Sequence, residues 1–206
     1  MSAFLGPIHY WLYNKIQLQQ AIVDEICQLG GQYSLVLEND CDRKFGIFEN
    51  KPLEEMIDHG NIHGWLQERV SQVEYKYAYC VTNLIKKDPA SFDQLKSILK
   101  QKGREIGRSI SGNPITMPQL YKVITDHLLD GMPCDHANSI TQQEEDCIIW
   151  KRNLCVHEPY WNELEGNIEN YYILRDAWLE GLAEECNINY QRLDTVTYCI
   201  RKEVAA

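Results

Sequence analysis

Two Cys-x-His pairs are the residues best placed by type and spacing to do chemistry: Cys134-x-His136 and, about twenty residues on, Cys155-x-His157. In an extended segment, residues two apart point the same way. Each pair then presents a thiolate and an imidazole from one face. Together Cys134, His136, Cys155 and His157 make a Cys₂His₂ set, which suits a tetrahedral zinc ion or another transition metal such as iron. Asp135 and Glu158 stand beside the histidines as acceptors for their second ring nitrogen. The C-x₂-C spacing of many structural zinc sites is absent.

The same residues allow an enzyme. A thiol reacts as its thiolate, and a neighbouring imidazolium favours that form. Cys155 would be the nucleophile and His157, or His136, its base, with Glu158 as orienter. The product of this reading is a cysteine-dependent hydrolase of a small molecule. The plain alternative is that the cysteines pack as small hydrophobes.

His9 and Tyr13 stand four apart and share a helix face. With Tyr10 and Asn14 they could line a ligand pocket, or pack as core with their polar tips satisfied. His59 and His63 have the same spacing, but Gly60 stands where a metalloprotease helix has Glu. Those two histidines, and His127, read as surface or capping groups. Gly103, Gly107 and Gly112 lack the strand and Lys-Ser/Thr context of a phosphate loop. Glu144-Glu145-Asp146 reads as a solvated face.

The elements that must position these groups follow from periodicity. A helix begins after Pro7, buries Ile8, Leu12, Ile16, Val23 and Ile26, and stops at Gly30-Gly31. Tyr33 to Leu37 reads as a short strand and Asn39 to Asp42 as a turn. Spacings of three and four from Ile62 to Leu84 predict a long helix over about 61–86. Asp88-Pro89, with a capping box from Ser91 to Gln94, opens another helix, and Thr116-x-x-Gln119 caps a third. Ser109 to Pro114 is a loop. Cys147 to Arg152 and Thr195 to Arg201 read as strands, and Asn170 to Glu185 as a helix. Two strands alone are marginal, so they must pair further or lie on the helices. The expected fold is a predominantly helical α+β protein. A single domain over 1–206 has a helical part to about residue 130, then a mixed part that supplies most of a small antiparallel sheet.

A chain of 206 residues with 44 % hydrophobic side chains can bury a core without staples. Its net charge of −10 and its scattered basic residues argue against nucleic acid and anionic membrane as partners. The densest basic run, Lys96 to Arg108, reads as the wet face of a helix. No run approaches 18 apolar residues, and the first residues lack a signal peptide's basic start. With eight cysteines and no such signal, the thiols are expected to be reduced and the protein cytoplasmic.

The last sixty residues resemble one family outline. Cys155 is followed by Glu163-Leu164-Glu165-Gly166, then Tyr171-Tyr172-x-Leu174-x-Asp176-x-Trp178. Gly181, Tyr190-x-Arg192 and a closing strand with Cys199 complete it. This resembles the C-terminal half of L-2-amino-thiazoline-4-carboxylic acid hydrolase-like proteins and the related 4-vinyl-reductase-like domains. The resemblance implies an antiparallel sheet backed by helices, with Cys155 and Cys199 close together at a small-molecule or metal site. The family's Gly before the last Cys is replaced here by Thr197-Tyr198, and the first 130 residues carry no such resemblance.

The working expectation is a cytoplasmic sensor or accessory protein that binds a small molecule or metal ion through its Cys/His cluster, with a homodimer compatible. The alternatives are the Cys155 hydrolase and an acidic interaction module without catalysis.

Overall fold

The structure is a computed structural model that describes residues 5–112 and 114–202. It is a mostly helical α+β fold with a small antiparallel sheet in the C-terminal part.

Helix α1 runs Pro7–Gln32, with Pro7 in the first turn, where its missing N–H costs nothing. Leu12, Ile16, Val23 and Ile26 form its buried stripe, while Ile8 stays exposed. The chain turns at Ser34, in the left-handed region at φ 59°, and enters α2, Leu37–Phe45. The strand expected at 33–37 and the turn at 39–42 are therefore absent. Leu37 and Cys41 lie four apart and are the buried residues of α2. Glu38 and Asp40 in its first turn and Arg43 and Lys44 in its last complement the helix dipole.

A short helix α3, Leu53–Met56, leads to α4, Ile62–Lys87, which packs on α1. Asn61 caps α4 by accepting the Gly64 N–H at 3.1 Å. Helix α5 spans Ser91–Ile110. Its expected capping box does not form: the Ser91 hydroxyl is buried without a partner, and Asp88 accepts the Ala90 N–H instead. Helix α6, Met117–His127, does carry its box between Thr116 and Gln119. His127 is half-buried against Trp178 rather than at the surface.

The mixed part holds strands β1 (Asn138–Gln143) and β2 (Cys147–Arg152), helices α7 (Glu158–Glu163) and α8 (Ile168–Cys186), and strands β3 (Ile188–Arg192) and β4 (Thr197–Lys202). The sheet order is β1-β2-β4-β3, all antiparallel. Opposite pairs Ile148–Ile200 and Trp150–Tyr198 form its buried face, with Trp150 stacked on Tyr198 and tilted against Tyr121 of α6.

Helices α5 and α8 cross at backbone contact. A Cβ on Gly103 would lie 1.9 Å from the Trp178 carbonyl oxygen, and one on Gly181 would lie 2.0 Å from that of Lys100. These glycines serve packing. The larger core cluster runs from Val23 of α1 to Ile200 of β4, so both parts of the chain share it. A second cluster joins α1, α3 and the start of α4 to Leu129 and Met132.

Candidate functional site

The two Cys-x-His pairs do not meet. Cys134 lies exposed in a 3₁₀ turn over Pro133–Asp135, and His136 follows at φ 48°, also exposed. Cys155 is half-buried after β2, where its sulfur accepts the Tyr172 hydroxyl at 3.0 Å. His157 is buried at the start of α7 with both ring nitrogens engaged. His9 and Tyr13 are buried on α1. The His9 Nδ1 accepts the Gly6 N–H at 2.9 Å and the Tyr13 hydroxyl donates to the Lys51 carbonyl at 2.8 Å. Cys199 stands beside Cys147, sulfur to sulfur 3.7 Å, on neighbouring strands β4 and β2.

Three other cysteines do converge. Cys27 of α1, Cys41 of α2 and Cys80 of α4 bring their sulfurs within 4.8 Å of one another. Among the described residues they are the one group of three or more Cys, His, Asp or Glu side chains whose ligand atoms gather this closely. Cys80 stands between the others, 3.6 Å from Cys27 and 3.4 Å from Cys41. Cys41 and Cys80 are buried and Cys27 is half-buried.

The cluster is electrostatically biased. The Cys41 and Cys80 thiols donate toward the Cys27 sulfur, and the buried ammonium of Lys76 adds attraction. Together they outweigh burial and pull Cys27 well below the ordinary thiol range. The Cys41 thiol is pushed up first by donating to Cys27, which Cys80 opposes, and the Cys80 thiol by donating to Cys27 and Cys41; burial raises both. Lys76, one turn before Cys80, pairs with Asp42 at 2.7 Å. A cavity of about 290 Å³ reaches Cys27 and Cys41, with Asp24, Asp42 and Lys76 among its walls.

Sequence spacing did not single out this group. Its members are separated by long stretches, and only the packing of α1 and α2 on α4 joins them. The available signal was that Cys27 follows buried Ile26 and Cys80 precedes buried Val81, so both thiols sit at the edge of an inward stripe.

A second polar centre lies behind α7. The His157 Nδ1 is 3.0 Å from each oxygen of Glu74, and its Nε2 is 3.4 Å from Asp130. Arg175 of α8 forms a two-pronged pair with Asp130. Burial opposes charge on the imidazole, but the Glu74 and Asp130 carboxylates outweigh it and hold His157 up to about 9. Burial would likewise raise Asp130, yet Arg175 and His157 keep it well below the usual carboxylate range. With both nitrogens held by carboxylates, this histidine is bound as a structural cation.

The helical α+β class is thus clear, and with it a three-thiol group that could hold a metal ion. Comparison with protein-family models, curated proteins and solved structures finds no match. Among the described residues, no helix is long and apolar enough to cross a membrane.

Proposed function

We propose that this protein binds a soft metal ion, zinc(II) in the first instance, through Cys27, Cys41 and Cys80, in a sensor or accessory role. The observation that carries the reading is the convergence of three sulfurs from three helices. A zinc–sulfur bond of about 2.3 Å in tetrahedral geometry sets ligand sulfurs about 3.8 Å apart. The spacings of 3.4 and 3.6 Å lie close to that edge. Cys27, already drawn toward its thiolate, supplies the first ligand, and binding displaces the remaining thiol protons. The neighbouring cavity leaves room for a fourth ligand from solvent or from a small molecule, so the ion can report on what enters.

The test is elemental analysis of protein purified without oxygen or chelator, followed by titration with cadmium(II). One zinc or cadmium per chain and a thiolate-to-metal ultraviolet band are expected, both lost in Cys41→Ser and Cys80→Ser and both kept in Cys155→Ala. Parent protein that is metal-free and develops no such band would overturn the proposal.

A further inference from the structure

Lys15 occupies an unusual position on α1. It is 3 % exposed, and among the described residues its ammonium makes no hydrogen bond or ion pair. Its Nζ lies 4.1 Å from the centroid of the Trp11 ring. The side chain forms part of the wall of a cavity of about 180 Å³ between α1, α6 and the segment after α6, together with Trp11, Tyr121, Asp130 and Met132. Its partner is the Trp11 ring face and not a carboxylate, so no hydrogen-bonded anion fixes it as an ammonium.

We propose that Lys15 is a carbonyl-reactive amine that forms a Schiff base with a small uncharged aldehyde or ketone bound in this cavity. The Nζ lone pair attacks the carbonyl carbon, and the carbonyl π pair moves to oxygen. The oxygen takes up one proton as nitrogen releases one, giving a carbinolamine. Hydroxide then departs together with the remaining N–H proton as water, which leaves the C=N bond.

Burial favours the neutral amine that this attack requires, and the Trp11 ring face works against it. Burial is the largest influence and lowers Lys15 to about 8. Asp130 and Asp126 oppose it, and Arg175 assists it. Of the other groups near the amine, Tyr121 has its phenol raised by burial, and Asp126 accepts the Trp11 indole N–H at 2.8 Å. His136 also lines the cavity. Asp130 is committed to Arg175, His157 and Asn138, so it makes no hydrogen bond to the amine.

The test is reductive alkylation of the full chain with propanal and cyanoborohydride at pH 7, with adducts located by peptide mass spectrometry. Lys15 is expected to label at least tenfold faster than the exposed Lys44 and Lys87. That lead should shrink at pH 10 and vanish in urea-unfolded protein. Lys15→Met should lose the fast adduct. Labelling of Lys15 no faster than Lys44 and Lys87 in the folded chain would overturn the proposal. So would a lead that survives unfolding, because the rate would then owe nothing to the cavity.

Discussion

The Nδ1 of His157 stands 3.0 Å from both carboxylate oxygens of Glu74, a residue 83 positions earlier in the chain. The pair ties the start of α7 to the middle of α4, and the imidazole stacks on Tyr171 with centroids 3.9 Å apart. Its pKa is raised from an ordinary value near 6.5 to about 9. The folded state therefore holds a proton that the unfolded state releases between these values. The stabilisation is full below about pH 6.5 and is lost as pH rises through about 9.

Two other groups act on stability in overlapping windows. Lys15, with its folded pKa lowered, makes stability rise with pH above about 8. Cys27, also lowered, does so from about pH 4 to about pH 9. The contribution of His157 is therefore read as a difference. In urea unfolding at pH 6.5 and pH 9, the gap between parent and His157→Gln should narrow by about 3 kcal/mol at the higher pH. A gap that does not change with pH would mean that the imidazole is neutral.

The parts of the fold legible from sequence are those whose period is written in apolar side chains. Ile62 to Leu84 repeats at three and four, and α4 spans Ile62–Lys87. The β-branched and aromatic run from Cys147 is β2, with its expected bounds. Strand β1 was illegible because it is an edge strand with almost every side chain in solvent, so it carries no alternation. Helix α2 was misread because Leu35-Val36-Leu37 looks extended, and its two inward residues give too short a stripe to show a period.

The site was missed for a different reason. The Cys-x-His reading needed extended backbone, whereas Cys134 lies in a 3₁₀ turn, His136 is left-handed and His157 begins a helix. The thiols that do gather are brought together only by tertiary packing.

The α5–α8 crossing makes a sharp mutational forecast. At Gly103 an added methyl meets a backbone carbonyl at 1.9 Å, and a backbone yields only by separating the helices. We expect Gly103→Ala to cost about 1–3 kcal/mol despite the better helix propensity of Ala. Gly31, near the end of α1, has nothing within 4 Å of such a methyl. Gly31→Ala should be neutral or stabilising by up to about 1 kcal/mol. Denaturant midpoints of the two variants decide the matter, and equal behaviour would contradict the close crossing.

Metal binding at the three-thiol group should appear as stability, because the ligands come from three helices that separate on unfolding. At a free zinc concentration one hundred times the dissociation constant, the folded state gains about 3 kcal/mol. For a chain of this size that is roughly 5–10 °C in Tm. Chelator should reverse the gain in the parent, and Cys80→Ser should show none. A parent Tm indifferent to zinc and chelator alike would count against the site.

Thiol chemistry separates the cluster from the remaining cysteines. Cys27, Cys155 and Cys186 are all half-buried, so exposure alone would have them react alike with iodoacetamide. Cys27 differs in that neighbouring thiols and Lys76 stabilise its thiolate, whereas burial pushes the Cys186 thiol up. On taking the reaction from pH 8 to pH 6, an ordinary thiol loses roughly 70-fold of its thiolate. Cys27 should keep most of its rate over that interval and become the fastest of the three at pH 6. Saturating zinc should then protect it, because the lone pair that attacks the reagent is the one that binds the metal. Peptide mapping after short pulses measures each site separately. If Cys27 slows with acid as steeply as Cys186, its sulfur is not held as thiolate, and metal binding would have to displace its proton as well.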